Sequence, residues 1–469
     1  MYPTIKRLHF IGIGGIGMSG IAELLLTLGY QVSGSDAAEN ANVVRLRKLG
    51  ATIRIGHHRD NVTGADAVVF SSAIPAINPE MEEARRQRIP RVPRAEMLAE
   101  LMRLKYGIAI AGTHGKTTTT SLIATLLSEA GLDPTVVNGG IVKAFGSNAR
   151  LGQGAFLVTE SDESDGSFLK LTPTIAVVTN IDPEHMEHYK QFDNVRDAFR
   201  RFVEKVPFYG LVVLCHDHPE VRALLPRLTD KRVVTYGLEP GADLQAVDVE
   251  QQGIHISFRV RIRDTGLVDF HESGPVTLSP PGRHNVLNTL AAIAVARELG
   301  IPWPVITRGV AQFKGVQRRF DILQEGPERV VIDDYAHHPV EIAATLAAVR
   351  ACYGPERRLV AVFQPHRYSR VRDLLVEFTR CFGQTNLVVV DRIYPAGESP
   401  LPGLLADGGQ EDLVPGIHKN SGVETVPWPA GPHWMVGLNR LLRPGDVVVF
   451  LGAGDISRRA RDFVSGAGE

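Results

Sequence analysis

A glycine-rich loop stands between an apolar run and a helix-forming run near residue 112. The apolar run, residues 107–111, predicts a strand, and residues 117–130 predict a helix. Proteins bind nucleotide phosphates in this way, because backbone N–H groups surround the anion while a lysine and a hydroxyl hold charge and Mg²⁺. The loop is shorter than a full Walker sequence, and the alternative is a tight turn with a solvated lysine. All the phosphate-binding features occur together, so we predict ATP binding by Gly112, Thr113, His114, Gly115, Lys116, Thr117 and Thr118.

A second glycine loop, residues 12–17, follows the apolar run 8–11 and precedes a predicted helix over 18–28. With Asp36 about 20 positions further on, it matches the dinucleotide fingerprint, whose usual ligand is NAD. That signal is weak, because such a loop recognises a diphosphate whichever nucleoside carries it. Two diphosphate loops in one chain favour ATP at the second and another nucleotide or a nucleotide-sugar at the first.

The composition is that of an ordinary globular protein. The chain has 469 residues, 44% hydrophobic and 22% charged, with a net charge of -1. Nothing in these values indicates a nucleic acid or an anionic membrane as partner. We find no apolar run of transmembrane length and no signal peptide, and the three cysteines lack metal-type spacing. We therefore expect a cytoplasmic, soluble protein; its oligomeric state is open.

Apolar strands alternate with amphipathic helices along the chain, which predicts an α/β fold with largely parallel sheets. The length is typical of about three domains. Breaks in the strand–helix alternation place the three domains at 1–106, 107–315 and 316–469. Each domain has strands followed by polar segments.

Two of these polar segments lie in the second predicted domain. Residues 160–165 hold four carboxylates directly after the predicted strand 155–158. We expect Mg²⁺ ligands there, since strand ends direct carboxylates toward the phosphate loop of a neighbouring strand, although a solvated acidic turn is the commoner outcome. His185 follows the next predicted strand, 174–178, and is a candidate metal or phosphate ligand or a plain histidine.

The third predicted domain contains two further polar segments after strands. Residues 333–339 follow the strand 330–332, and residues 364–370 follow the strand 359–363. Their arginines suit carboxylate binding, whereas the adjacent His337 and His338 point to different sides and make a poor metal site. Arg318 and Arg319 precede this region and could reach the nucleotide from the third domain.

Together these segments resemble the Mur ligase family, the ATP-dependent amide-bond ligases of peptidoglycan assembly. The resemblance covers nearly the whole chain, including residues 9–18, 112–118, 160–168, 179–181, 282–288, 318–320, 333–339 and 364–370. It implies three domains, with Rossmann-like first and third domains around a central P-loop-type ATPase domain. It also implies the branch that joins L-alanine to the carboxylate of UDP-N-acetylmuramate through an acyl phosphate.

The resemblance further implies roles for single residues. The catalytic set is Lys116, Glu160, His185 and Arg367, and Mg²⁺ is held by Thr117, Glu160 and His185. ATP is bound by residues 112–118 with Asn285, Asn288, Arg319 and Asp334. The UDP-sugar is bound by Gly14, Gly15, Ile16, Gly17, His57, Ser71 and Arg94. The amino acid is surrounded by Tyr335, His337, His366, Arg367 and Arg370.

This sequence departs from the family pattern at three positions. Glu184 and Glu187 stand where the family usually has aspartates, which puts the exact metal geometry in question. Ala336 replaces a common glycine, which costs nothing if its φ is negative.

Four other functions are compatible with parts of the pattern. The nearest is a ligase that recycles murein tripeptide on the same UDP-sugar, followed by a folylpolyglutamate-type ligase. A nicotinamide dehydrogenase would explain only the first glycine loop. A regulatory nucleotide-binding protein would not need Lys116, Thr117, Glu160 and His185 to be intact.

Overall fold

The computed structural model describes residues 5–71, 73–144, 146–263, 270–400, 409–429, 431 and 433–466. The chain forms two compact units, which are described separately. Unit 1 consists of Met1–Asp248, Phe258–Val276 and Leu287–Phe313, and unit 2 consists of Val249–Ser257, Thr277–Val286 and Lys314–Glu469. None of the helices in the described part is long and apolar enough to cross a membrane.

The first sheet is parallel throughout, with the strand order β3-β2-β1-β4-β5. Its strands are β1 (Arg7–Ile11), β2 (Gln31–Asp36), β3 (Thr52–Ile55), β4 (Ala67–Phe70) and β5 (Arg91–Pro93). The connecting helices are α1 (Ile16–Thr27), α2 (Ala41–Lys48), α3 (Pro79–Arg86) and α4 (Arg94–Met102). The central strand β1 is buried over Leu8–Ile11, as expected of a strand that has neighbours on both sides and helices on its faces.

The second sheet has the order β15-β14-β13-β12-β11-β10-β6-β9-β7-β8, with β16 beside β14. Its strands are β6 (Tyr106–Ala111), β7 (Thr135–Val142), β8 (Ser147–Arg150), β9 (Phe156–Glu160), β10 (Ile175–Val178), β11 (Leu211–Cys215), β12 (Val233–Gly237), β13 (Leu244–Gln252), β14 (His255–Arg263), β15 (Phe270–Glu272) and β16 (Val276–Leu278). The helices of this region are α5 (Lys116–Glu129), α6 (Met186–Tyr189), α7 (Phe192–Glu204), α8 (Pro219–Arg222), α9 (Arg283–Glu298) and α10 (Trp303–Ala311). The parallel strands β9, β6, β10 and β11 therefore end at one edge of the sheet.

The third sheet lies in unit 2 and has the order β17-β18-β22-β19-β20-β21. Its strands are β17 (Asp321–Glu325), β18 (Arg329–Asp334), β19 (Leu359–Phe363), β20 (Leu387–Val390), β21 (Glu424–Pro427) and β22 (Asp446–Leu451). The helices are α11 (Pro339–Tyr353), α12 (Tyr368–Asp373), α13 (Leu375–Phe378), α14 (Gln410–Ser421), α15 (Trp434–Leu441) and α16 (Ile456–Ser465). Only the β17–β18 pair is antiparallel among the pairings between these strands in the described residues.

The predicted α/β class with largely parallel sheets is confirmed. Strand β14 lies between β13 and β15, and its buried residues alternate with more exposed ones. This alternation fits a strand with one face against the core and one toward solvent. The domain limits at residues 106 and 315 stay a prediction.

An aromatic cluster in unit 1 should contribute strongly to stability. Phe202 on α7 is fully buried, and its ring centroid lies 5.1 Å from that of Phe168. Truncation of Phe202 to alanine leaves a cavity, so we expect the free energy of unfolding of unit 1 to fall by about 3–5 kcal/mol. Phe208, which is 83% exposed, provides the control, because Phe208→Ala removes little buried area. Urea denaturation followed by tryptophan fluorescence and circular dichroism measures both; equal effects of the two substitutions would contradict the assignment of Phe202 to the core.

Candidate active site

The phosphate loop begins where β6 ends and is shaped by two glycines with positive φ. Gly112 has φ +137° and Gly115 has φ +82°, and α5 begins directly after Gly115. A Cβ atom on Gly112 would lie 2.0 Å from Thr179 Oγ1, so only glycine fits at this position. The loop therefore brings its backbone close to the end of β10 and presents the N-terminus of α5.

Residues that follow β10 hold the loop in place. The Asn180 side chain accepts a hydrogen bond from His114 N at 2.7 Å, and Thr179 Oγ1 donates to His114 O at 2.7 Å. Asp182 N donates to Thr113 Oγ1 at 2.8 Å. These hydrogen bonds fix the loop conformation without a ligand, which lowers the entropy cost of binding an anion there.

Lys116 is anchored within the loop by three oxygen acceptors. Its Nζ donates to Gly112 O at 2.5 Å, to Thr113 O at 3.2 Å and to Glu163 Oε1 at 2.8 Å. Burial lowers the pKa of Lys116, but the charge and hydrogen bond of Glu163 with the charges of Asp162 and Glu160 together outweigh it, and the net pKa is raised. Burial in turn raises the pKa of Glu163, whose carboxyl group is 3% exposed. The lysine is therefore a positive charge at neutral pH.

Thr117 and Glu160 lie beside the loop and provide the hard oxygen atoms that Mg²⁺ prefers. Thr117 Oγ1 donates to Glu160 Oε2 at 2.8 Å, and a Cβ atom on Gly139 would lie 1.8 Å from Glu160 Oε1. Among the described residues, no three histidine, cysteine or acidic side chains could together hold a metal ion. Mg²⁺ usually binds one or two protein oxygens and completes its shell with waters and substrate phosphates, so this pair fits Mg²⁺ better than a closed metal site.

His185 lies at the start of α6 in the left-handed region, with φ +60°. Its Nδ1 is 3.7 Å from Glu187 Oε1 and its Nε2 is 4.0 Å from Glu184 Oε2. Burial lowers the pKa of His185, but these carboxylates outweigh it and the net pKa is raised. Thus the two glutamates that depart from the family pattern both contact this histidine. Of the predicted metal set, Thr117 and Glu160 are in contact, and the membership of His185 stays a prediction.

The first glycine loop uses Asp36 to hold its own backbone. Gly14 N donates to Asp36 Oδ2 at 2.8 Å, and a Cβ atom on Gly14 would lie 2.5 Å from Asn40 Nδ2. Helix α1 starts after Gly15, and no side chain in the described part of the chain caps it. Its first N–H groups are those that would bind a diphosphate.

Beneath this loop lies a buried polar network centred on Glu80. The carboxylate accepts from Ser35 Oγ at 2.6 Å and from Asn61 Nδ2 at 2.6 Å, and lies 3.1 Å from His9 Nε2. His57, a predicted UDP-sugar contact, joins it through Nδ1, 3.0 Å from Ser35 Oγ. Burial raises the pKa of Glu80, yet the hydrogen bonds outweigh burial and lower it to about 2. The sequence carries no signal for this role of Glu80, because its partners come from three other segments.

Two further predicted sugar-binding residues lie at the ends of strands β4 and β5. Arg94 begins α4, and its Nη2 donates to Asp162 Oδ2 at 3.2 Å. The same guanidinium lies against Gly17 of α1, 2.9 Å from where a Cβ atom would be. Arg94 thus links the first glycine loop to the acidic segment that follows β9. Ser71 directly follows β4, where its carbonyl accepts from Ile74 N at 3.0 Å.

The two predicted ATP-binding asparagines have different surroundings. Asn288 Oδ1 accepts from Thr119 Oγ1 at 3.1 Å and lies 2.5 Å from where a Cβ atom on Gly115 would be. It is therefore packed against the phosphate loop of unit 1. Asn285 belongs to unit 2, where its Nδ2 donates to Pro281 O at 2.7 Å. Asn288 thus lies at the loop, and the contacts of both asparagines with ATP stay predictions.

In unit 2, Asp334 organises the turn at the end of β18. Its carboxylate accepts from Phe320 N at 2.7 Å and from Ala336 N at 2.8 Å, and burial raises its pKa to about 6. Ala336 is buried and does not have a positive φ, so alanine fits here without strain. Arg319 lies near this turn, with its guanidinium 4.9 Å from the Tyr335 ring centroid.

The residues predicted to bind the amino-acid substrate form a cluster of aromatic rings, histidines and arginines. The ring centroids of Tyr335 and His337 are 5.2 Å apart, and those of His337 and His366 are 5.9 Å apart. Arg370 Nη1 lies 3.3 Å from His366 Nδ1. Burial, with help from His337 and Arg370, lowers the pKa of His366 to about 3. Arg367 begins α12 with φ +69°.

Sequence reasoning missed two parts of this cluster. Tyr394 stacks on His366 at 5.6 Å, and its carbonyl accepts from Arg367 N at 2.9 Å. The loop after β22 approaches from another side, because Arg318 Nη2 donates to Gly452 O at 2.8 Å and to Gly454 O at 3.1 Å. The Gly-x-Gly pattern between β22 and α16 could have indicated from the sequence that this loop belongs to the site. A lone tyrosine carries no such indication.

Family models match the chain in three successive segments. Residues 7–106 match the Mur ligase family, catalytic domain; residues 110–296 match the Mur ligase middle domain; and residues 318–454 match the Mur ligase, glutamate ligase domain.

Individual relatives match over almost the full length. A Magnetococcus marinus protein named UDP-N-acetylmuramate–L-alanine ligase is 62% identical, with 99% of this chain and 98% of that protein covered. The solved UDP-N-acetylmuramate–alanine ligase of Thermotoga maritima is 30% identical, with a TM-score of 0.81 and coverage of 98% and 99%. A murein peptide ligase from Psychrobacter arcticus is 23% identical, with a TM-score of 0.74 and coverage of 99% of both chains, and shows the same fold.

Substitution of Gly112 should disrupt the phosphate loop. In Gly112→Ala the new methyl group would collide with Thr179 Oγ1, so we expect the affinity for ATP to fall about tenfold or more. Gly131→Ala is the matched control, since Gly131 also has a positive φ, +72°, but its Cβ would meet no described atom within 4 Å. Isothermal titration with ATP and Mg²⁺ gives both affinities. Equal affinities of the two variants would contradict the tight loop.

The Glu80 network should make stability depend on acid pH. Its folded-state pKa of about 2 lies below the ordinary 4.5, so its contribution is complete above pH 4.5 and is lost as pH falls toward 2. The difference of about 2.5 pKa units corresponds to about 3 kcal/mol. Glu80→Gln should therefore lower the free energy of unfolding at neutral pH by about that amount. Urea denaturation at several pH values should show the gap in unfolding free energy between Glu80→Gln and wild type closing in acid. Glu82→Gln, at a half-buried position on the same helix, is the control and should show a gap near zero throughout.

Proposed function

The chain belongs to the Mur ligase family, and we propose that it is the ATP-dependent ligase that joins L-alanine to the carboxylate of UDP-N-acetylmuramate. One observation carries this conclusion: the 62% identity over 99% of the chain with a relative named for this activity. The phosphate loop supports the proposal, because Gly112 O and Glu163 hold Lys116 there. The reaction forms a carbon–nitrogen bond and yields ADP and phosphate.

The reaction needs activation, because a carboxylate does not react with an amine in water at a useful rate. An oxygen of the muramoyl carboxylate attacks the γ-phosphorus of ATP, ADP leaves, and an acyl phosphate is formed. The alanine nitrogen then attacks the acyl carbon and phosphate leaves. Lys116 stabilises the charge that develops on the transferring phosphoryl group, and positioning supplies most of the remaining acceleration.

Thr117 and Glu160 would hold Mg²⁺ at the phosphate loop, where its charge neutralises the phosphate oxygens when it is bound. His185 is a further candidate for the same site. The Thr117 hydroxyl donates a hydrogen bond of 2.8 Å to the Glu160 carboxylate. This bond keeps the two candidate metal-binding oxygens together.

We assign the UDP-sugar to the first glycine loop, with Arg94, His57 and Ser71 as further contacts. The amino acid is assigned to the cluster of Tyr335, His337, His366, Arg367 and Arg370. Asn285, Arg319 and Asp334 remain predicted ATP contacts. A cytoplasmic location is also proposed, since the proposed reaction consumes ATP.

The alternatives account for less of the chain. A murein-tripeptide ligase shares the fold, but the relative at 23% identity supports the fold alone. A nicotinamide dehydrogenase would use the acidic residue of the fingerprint on a ribose hydroxyl. Here Asp36 accepts a hydrogen bond from Gly14 N, which ties that carboxylate to its own loop.

The test is phosphate release from ATP and Mg²⁺ with UDP-N-acetylmuramate, with and without L-alanine. Release that needs both co-substrates, with a product heavier by one alanyl residue in mass spectrometry, is the expected result. Turnover with the murein tripeptide in place of L-alanine would instead assign the chain to the recycling branch. NAD-dependent absorbance change without phosphate release would contradict the ligase altogether.

Removal of the lysine charge should abolish this activity. Lys116→Met keeps most of the length of the side chain but removes the positive charge that stabilises the transferring phosphoryl group, so we expect phosphate release to fall about 100-fold or more. Lys48→Met, at an exposed position on α2, is the matched control and should retain wild-type turnover. A Lys116→Met enzyme with more than half the wild-type rate would contradict the assigned role.

A further inference from the structure

The two histidines of the amino-acid cluster lie in opposite electrostatic surroundings. His366 Nδ1 faces the Arg370 guanidinium at 3.3 Å, and burial together with nearby positive charges lowers its pKa to about 3. A cation beside an imidazole disfavours the imidazolium form. His366 is therefore a neutral side chain at physiological pH and a poor acceptor of protons.

His337 instead faces a carboxylate. Its Nδ1 lies 3.0 Å from Tyr335 O and 3.3 Å from Glu341 Oε2, and its backbone N donates to the same glutamate oxygen at 3.1 Å. Both neighbours of Nδ1 are hydrogen-bond acceptors, so Nδ1 carries the ring proton in this arrangement. The lone pair is then on Nε2. An acceptor that holds Nδ1–H, here Tyr335 O, together with a carboxylate beside the ring leaves Nε2 as the basic atom, as in histidines that act as general bases.

Glu341 is held in this position by the start of α11 and by neighbouring groups. It lies in the first turn of the helix, where a negative charge is favoured, and its side chain is 11% exposed. Its second oxygen, Oε1, lies 3.8 Å from Arg319 Nη1. His284, whose pKa burial lowers to about 4, faces Arg319 and Glu341 as well. Glu341 is thus the acidic group at hydrogen-bond distance from the His337 imidazole, and Arg319 lies on its far side.

We propose that His337 takes the proton from the ammonium group of the incoming amino acid, with Glu341 as the positioning residue whose carboxylate lies 3.3 Å from its Nδ1. The inference rests on the proposed function and deepens it by naming the base of the second half-reaction. An amino acid carries an ammonium group at neutral pH, and that nitrogen has no lone pair for attack. Its proton must be removed before a carbon–nitrogen bond can form.

The proton and the electron pairs are accounted for as follows. His337 Nε2 accepts one proton from the ammonium and becomes an imidazolium that Glu341 stabilises. The freed lone pair forms the carbon–nitrogen bond at the acyl carbon, and the carbon–oxygen bond to phosphate breaks with its electron pair on the phosphate. The phosphate takes the second proton from nitrogen, which leaves a neutral amide. The imidazolium then releases its proton to solvent.

The test compares two nucleophiles on the same enzyme. L-alanine needs a base, whereas hydroxylamine is uncharged at neutral pH and attacks an acyl phosphate without one, giving a hydroxamate. Wild type, His337→Gln and Glu341→Gln are assayed for both products with ATP, Mg²⁺ and UDP-N-acetylmuramate. Glu377→Gln, an exposed carboxylate on α13 of the same unit, is the matched control. The pH dependence of kcat/KM for L-alanine is measured for Glu341→Gln and wild type.

We expect His337→Gln to lower the alanine-dependent rate about 100-fold or more and Glu341→Gln to lower it about tenfold, with hydroxamate formation within about threefold of wild type. In Glu341→Gln the acidic limb of the pH profile should move to lower pH, because the imidazolium form loses the negative charge that stabilises it. Equal losses with both nucleophiles, or an unchanged profile, would overturn the base assignment in favour of a structural role. Absence of hydroxamate from wild type would overturn the acyl phosphate itself and the proton step with it.

Discussion

The ion pair between Lys116 and Glu163 is the constraint on which the arrangement of the phosphate loop depends. A charge taken out of water must be matched by an opposite charge and by hydrogen bonds, or it destabilises the fold. Here the lysine reaches two loop carbonyls as well as the carboxylate, so the loop must follow the turn that Gly112 and Gly115 permit. The end of β10 then closes against it through Thr179 and Asn180. The Lys116 charge and the conformation of the loop backbone around it therefore depend on each other.

Buried carboxylates have different roles in different parts of this protein. Glu80 receives hydrogen bonds from several donors and stays ionised, so it organises the polar interior beneath the first glycine loop. Asp334 accepts two backbone N–H groups and shapes a turn, yet burial raises its pKa. Glu341 faces a histidine, where its charge can support a proton transfer. The number and kind of hydrogen-bond donors around each carboxylate decide which of these roles it has.

The sequence predicted those features that depend on neighbouring residues along the chain. A strand, a glycine turn and a helix follow one another directly, so both loops and the polar segments after β18 and β19 could be located before the structure was known. For Ala336 the sequence set only a condition on φ, and the structure meets it, since Ala336 does not have a positive φ. Glu80, Glu341 and Tyr394 could not be identified, because their partners come from other segments. Nothing near residue 80 in the sequence indicates that His9 and Ser35 will surround it.

The sequence by itself thus determined the α/β class, the order of the strand–loop–helix units and the types of side chain available for phosphate chemistry, since these follow from local periodicity and local motifs. Only the tertiary structure decided which charges meet. It paired Lys116 with Glu163, Arg94 with Asp162 and His337 with Glu341. The physical reason is that electrostatic and hydrogen-bond energies depend on distance in space and on burial, and both are set by how sheets and helices pack rather than by spacing along the chain.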